Sequence, residues 1–213
     1  MSSTSGFRFS ERAEAWFFGV LAVVGFVIVC FVFYPRHSSG DIPLPKTTSG
    51  KSAAPVIVSA RFAKNTMAIP TQKVTAPVQA EAVNPQGYLG IPQDVQVVGY
   101  YTAGGKLDGK VGDLVVAGHV NYVGQGTGAL GRIGDLHVGD AVITRGNGAP
   151  QGWRVTSITS YLKSSGLPRS MFRATGERML TLVTCGGKLD TSAHSYLSNI
   201  VVTAAPVRTI IER

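Results

Sequence analysis

Two side chains stand out as a pair that could do chemistry. Cys185 closes the apolar run Met179-Leu-Thr-Leu-Val-Thr184 and precedes Gly186-Gly187. His119 closes Asp113-Leu-Val-Val-Ala-Gly118, 66 residues earlier. Each run is rich in β-branched residues and reads as a central strand. Each reactive group therefore falls at a strand end beside glycine, where a side chain reaches the rim of a sheet. An imidazole next to a thiol stabilises the thiolate or takes its proton, and later protonates a leaving amine. A free cysteine is also among the most buried residue types, so a packed small hydrophobe remains open for Cys185.

The other candidates are weaker. The chain has 2 cysteines and 4 histidines. Cys30 lies in the apolar stretch 15–34, which leaves Cys185 alone in the rest of the chain. His37 lies in a polar segment, and His137 in DLHVGD reads as a surface residue. His194, in TSAHSY, follows Cys185 by nine positions. One cysteine with scattered histidines does not supply the three or four ligands of a zinc site, so no metal is expected. No Gly-x-Ser-x-Gly elbow, P-loop or dinucleotide fingerprint is present, and no cofactor is expected.

The elements that must carry this pair come next. Residues 15–34 form 20 uncharged positions, long enough to cross a ~30 Å hydrocarbon core as a helix. A cleaved signal peptide is the alternative, but the Phe-Tyr-Pro-Arg that ends the stretch makes a poor cleavage site. The expected layout is a short cytoplasmic tail over 1–14, an anchor over 15–34, a tether over 35–54 and a folded domain over 55–213. The tether is dominated by Ser, Thr, Gly, Pro and Lys, too polar to bury a core.

The domain reads as all-β. Short Val/Ile/Thr-rich runs such as VQVVGYY, LVVAGHV, WRVTSITSYL, MLTLVTC and NIVVTAA recur between Gly- and Pro-rich turns. That spacing predicts a barrel or sandwich with few, short helices. Gly 26 and Pro 11 in 213 residues fit a turn-rich chain, and 44% hydrophobic content excludes wholesale disorder. The net charge of +8, of which +6 lies in the domain, comes without basic runs or interleaved aromatics. Nucleic acid is not an expected partner.

These stretches together resemble the sortases, and within them class F. The match runs from about Thr66 to Ala205 through YLGIPQDVQVVGYY, LVVAGHVNYVGQGTGALGRIGDLHVGDAVIT, LTLVTCGGKLD and SYLSNIVVTA. The resemblance implies an eight-stranded sortase-type β-barrel behind one N-terminal transmembrane helix. The implied activity is that of an extracytoplasmic cysteine transpeptidase. Such an enzyme cleaves an LPxTG-like sorting signal through a Cys thioester, which an amine of the cell-wall precursor or a pilin resolves. By position, Cys185 becomes the nucleophile and His119 the general acid/base. Thr184 and Gly186 flank the oxyanion and substrate cleft, with Asn121 on the substrate side. The implied partners are sorting-signal proteins, an amine acceptor and the membrane.

The chain departs from the family at one point. The resemblance implies an Arg after the Tyr that opens the last strand, in a YRDN-like run. Here the run is YLSN, with Leu197 in that place. Three readings stay open. His194 compensates; or Arg132, Arg169 or Arg173 reaches in from another loop; or the domain is a weak or inactive module that binds sorting signals. An L,D-transpeptidase lacks its SHGC-type motif here, and an NlpC-type hydrolase would need the opposite Cys/His order.

Overall fold

The computed structural model describes residues 53–84, 88–192 and 195–212. The expected anchor (15–34), almost all of the tether and His194 lie outside the described residues. Twelve strands occur among them: β1 (Val56–Ser59), β2 (Thr66–Ile69), β3 (Val74–Glu81), β4 (Val98–Tyr101), β5 (Asp113–Ala117) and β6 (Asn121–Tyr122) in the first half. The second half holds β7 (Gly126–Thr127), β8 (Ala141–Arg145), β9 (Gln151–Leu162), β10 (Met179–Asp190), β11 (Ser195–Val207) and β12 (Thr209–Glu212). The helices described are four single 3₁₀ turns of three residues each. None of the described helices is long and apolar enough to cross a membrane.

Eight strands close a barrel in the order β10-β11-β9-β8-β2-β3-β4-β5. Most neighbours are antiparallel, but β3 with β4 and β5 with β10 run parallel. Closure leaves no open edge in the main sheet. The all-β expectation and the eight strands both hold.

Alternation builds the core. Leu114 and Val116 of β5, Leu180 and Leu182 of β10 and Val202 of β11 point inward with Met67 and Trp153, each fully buried. β5 departs from simple alternation, since all five of its residues are buried. Its other face, Val115 and Ala117, is covered as well, which explains an unbroken apolar run. The indole Nε1–H of Trp153 donates to Thr144 Oγ1 at 2.9 Å, and the Arg178 guanidinium lies 5.2 Å from its ring centroid. Burial lowers the Arg178 pKa from the ordinary arginine value, while Asp113 and Asp108 oppose the shift.

The buried carboxylate of Asp113 fixes the start of β5. It accepts from the Arg173 backbone N–H at 3.2 Å, from Nε at 2.9 Å and from Nη2 at 3.2 Å. This forked, charge-assisted contact ties the strand that ends before His119 to the loop preceding β10. It also raises the Arg173 pKa.

Two features differ from the local reading. Gly186-Gly187 reads as a turn that ends the strand, yet β10 runs on to Asp190 through an irregularity between Gly186 and Leu189. Gly187 takes φ +75°, a conformation that suits glycine, so the strand bends at a bulge rather than stopping. The first and last described strands also meet: β1 and β12 form a separate parallel pair, with Val56 opposite Thr209 and Ile57 opposite Ile210.

Candidate active site

The parallel pairing of β5 with β10 brings the two reactive residues level. The register aligns Val183 with Ala117. Beyond the last pair, the Gly118 N–H donates to Val183 O at 3.1 Å, and Thr184 Oγ1 donates to Gly118 O at 2.9 Å. One position further, Cys185 and His119 stand at the same height on adjacent chains, which are ~4.8 Å apart in such a ladder. Both are half-buried, and Cys185 is a free thiol.

His119 is held by its surroundings. Its Nε2 lies 3.0 Å from Pro92 O. A carbonyl only accepts, so Nε2 carries the proton and Nδ1 is the basic nitrogen of the neutral ring. The Tyr122 ring packs against the imidazole at a centroid distance of 5.5 Å. Behind the backbone, Gly128 comes so close that an added Cβ would lie 2.2 Å from His119 O. The Gly128 N–H donates to Val120 O at 2.9 Å, which closes this loop on itself.

The other predicted residues divide. Thr184 is buried, and its hydroxyl serves the β5–β10 junction rather than open space. Gly186 packs on Ile200, where a Cβ would meet Cγ1 at 2.4 Å, so this position accepts no side chain. Asn121 is exposed and donates through Nδ2 to the Tyr196 hydroxyl at 3.1 Å, linking the loop after His119 to β11. Leu197 is an exposed residue of β11.

A groove of about 740 Å³ runs along the outer barrel face. Its floor is Val115, Ala117, Val183 and Asn199. Val183 shares a face with Cys185, and Asn199 is the cross-strand partner of Cys185. The groove therefore leads to the thiol. Loop residues before β4 and between β9 and β10 form its largely apolar walls, among them Ile91, Leu167 and Phe172.

The arginines separate by place. Arg173 is committed to Asp113, at the opposite end of β5 from His119. Arg132 pairs with Asp135 at 3.1 Å on the surface and does not line the groove. Arg169 does line it, as does Lys163, which local sequence does not single out. Pro92 O, Asn199 and Tyr196 were equally invisible, because each joins the site only through long-range pairing.

A closed barrel with a Cys/His pair level on two parallel strands, beside a largely apolar groove lined by their strand neighbours, fits a thiol-dependent acyl-transfer site. The sortase domain model matches residues 67–207, and the chain belongs to the sortase family. Sortases are cysteine transpeptidases acting on peptide bonds. No curated protein shows a significant sequence match to the chain. Among solved structures, the fold is similar to sortase C1 from Streptococcus agalactiae, at 16% identity and TM-score 0.52, covering 67% of this chain and 66% of that one. It is similar to sortase C-1 from Actinomyces oris, at 19% identity and TM-score 0.51, covering 67% and 72%. Sortase A from Corynebacterium diphtheriae aligns at 16% identity and TM-score 0.51, covering 67% and 59%. At these identities the likeness is one of fold.

Proposed function

We propose that the chain is a membrane-anchored, extracytoplasmic transpeptidase of the class F type, which cuts an LPxTG-like sorting signal and joins the released acyl group to an amine of the cell wall or a pilin. The observation that carries this reading is the level placement of Cys185 and His119 one residue pair beyond Val183 and Ala117, which line an apolar groove. An extended peptide in the groove presents its scissile carbonyl to Cys185 Sγ. Cys185 gives its proton to His119 Nδ1, the thiolate adds to that carbon, and the C–N bond breaks as His119 passes that proton to the leaving amine. A thioester is left. His119 then takes a proton from the incoming amine, which attacks the thioester and frees Cys185. The uncharged stretch 15–34 supports the anchor, with the catalytic domain outside the cell membrane.

The test is incubation of the full chain with an LPxTG-like peptide and hydroxylamine. An active enzyme releases a peptide hydroxamate, and Cys185→Ala releases none. Cleavage that survives Cys185→Ala removes the mechanism. A second reading, a module that binds sorting signals without turnover, is favoured by Leu197. It predicts peptide binding with no hydroxamate at all.

A further inference from the structure

Thioester formation places negative charge first on Sγ and then on the carbonyl oxygen, in a groove whose described lining contains no carboxylate. The site therefore calls for a positive group. Among the described residues, Lys163 and Arg169 are the two cations that line the groove.

The strand register separates them. Cys185 on β10 pairs with Asn199 on β11, which pairs with Tyr161 on β9. One position further, Ser198 pairs with Leu162. The ladder ends there, and Lys163 opens the 3₁₀ turn Lys163–Ser165 that follows β9, next to the β11 segment that holds Leu197. Residues two apart on a strand share a face, so Ser195 and Leu197 project on the side of Asn199, which is the groove side, and Lys163 lines the groove as well. Leu197 can donate nothing. Lys163 Nζ instead donates to Ser195 Oγ at 2.9 Å, which holds the ammonium over β11, the strand bonded directly to that of Cys185. Its partner there is a neutral hydroxyl, and Asp190 stands across from Ser195 in the β10–β11 register. Arg169, by contrast, belongs to the wall-forming loop, in the 3₁₀ turn Arg169–Met171, where its carbonyl accepts from the Phe172 N–H at 3.1 Å and its guanidinium is not tied to β11.

We infer that the Lys163 ammonium is the cation of the Cys185 centre, supplied from the end of β9. It turns from Ser195 toward the groove, attracts the carbonyl oxygen of the bound peptide and stabilises the charge that develops there. Ser195 then acts as a resting partner that keeps the flexible lysine stem on the correct strand. This assignment rests on the reading of Cys185 as the nucleophile.

The experiment compares alkylation of Cys185 by anionic iodoacetate and neutral iodoacetamide, followed by peptide mass mapping on the full chain at low salt. A nearby cation favours the anionic reagent, whereas a change in access or folding alters both reagents alike. Lys163→Met is expected to lower the iodoacetate-to-iodoacetamide rate ratio about threefold, with the iodoacetamide rate unchanged. Arg169→Met is expected to leave the ratio as it was. In the hydroxylamine assay, Lys163→Met should lower kcat about tenfold or more, with a smaller change in KM. An unchanged ratio in Lys163→Met, or an equal fall in Arg169→Met, overturns the assignment. A full chain that alkylates at Cys185 yet turns over no peptide sinks the transpeptidase reading, while the ratio still decides the place of Lys163.

Discussion

At the scale of single residues, the proposed site is a thiol and an imidazole at matching register positions, with a leucine where the family resemblance implies a donor. Cys185→Ala should reduce hydroxamate release by more than about 10³-fold without unfolding the barrel, since a half-buried Cys loses little volume. Circular dichroism beside the assay checks both parts. His119→Ala should cost about 10²–10⁴ in kcat. A loss below tenfold would show that another base serves the thiol. Leu197→Arg sets a five-donor fork on the groove side of β11 and should raise kcat about tenfold. No effect would mean that this position does not face the developing charge. Cys185 and His119 were both legible as chemistry at strand ends. Lys163 was not, because it is separated from Cys185 by 22 positions and its relevance arises only from the β9–β11–β10 ladder.

At the scale of elements, β5 and the loop after it hold His119 in place. Asp113→Ala would leave the Arg173 guanidinium without its forked partner and remove the clamp at the start of β5. The pair is only partly buried, so the expected cost is about 2–3 kcal/mol, measured by urea unfolding. Gly128→Ala acts at the other end. Its Cβ cannot occupy a point 2.2 Å from His119 O, so the loop must shift. A displacement of about 1 Å at the imidazole should lower kcat about 10²-fold, and the clash with backbone should lower the melting temperature too. Equal kcat in this variant would show that the loop relaxes away from the site. The strand runs around both reactive residues were readable from β-branched residues and glycine punctuation. The bulge after Cys185 was not, since Gly-Gly is equally good chemistry for a turn and for a φ +75° kink inside a continuing strand.

At the scale of the whole molecule, barrel closure makes the groove. Among the described residues, Trp153 is the largest fully buried side chain, and it carries both the Thr144 hydrogen bond and the Arg178 contact. Trp153→Ala should cost about 3–5 kcal/mol, because a cavity opens beneath a buried guanidinium. Thermal unfolding reads this directly, and a loss under 1 kcal/mol would mean that the core collapses around the gap. Alternation and turn chemistry are local, and they pointed to an all-β domain before any pairing was known. The number of strands came through the family resemblance. The parallel β1–β12 pair could not be read at all, because it joins two four-residue segments from opposite ends of the domain.

The sequence by itself determined the chemical repertoire: a lone thiol in the domain, a histidine at a comparable strand end, no donor at Leu197 and an apolar framework to carry them. Those properties are set by residue type and by spacing along the chain. Only the tertiary structure decided what faces what. The parallel register levels Cys185 with His119, the Pro92 carbonyl selects the ring nitrogen that holds the proton, and the pairing of β9 with β11 brings the turn that carries Lys163 to Ser195. Contacts of that kind join residues far apart in the chain, and pairing across strands leaves no periodic trace in the local sequence.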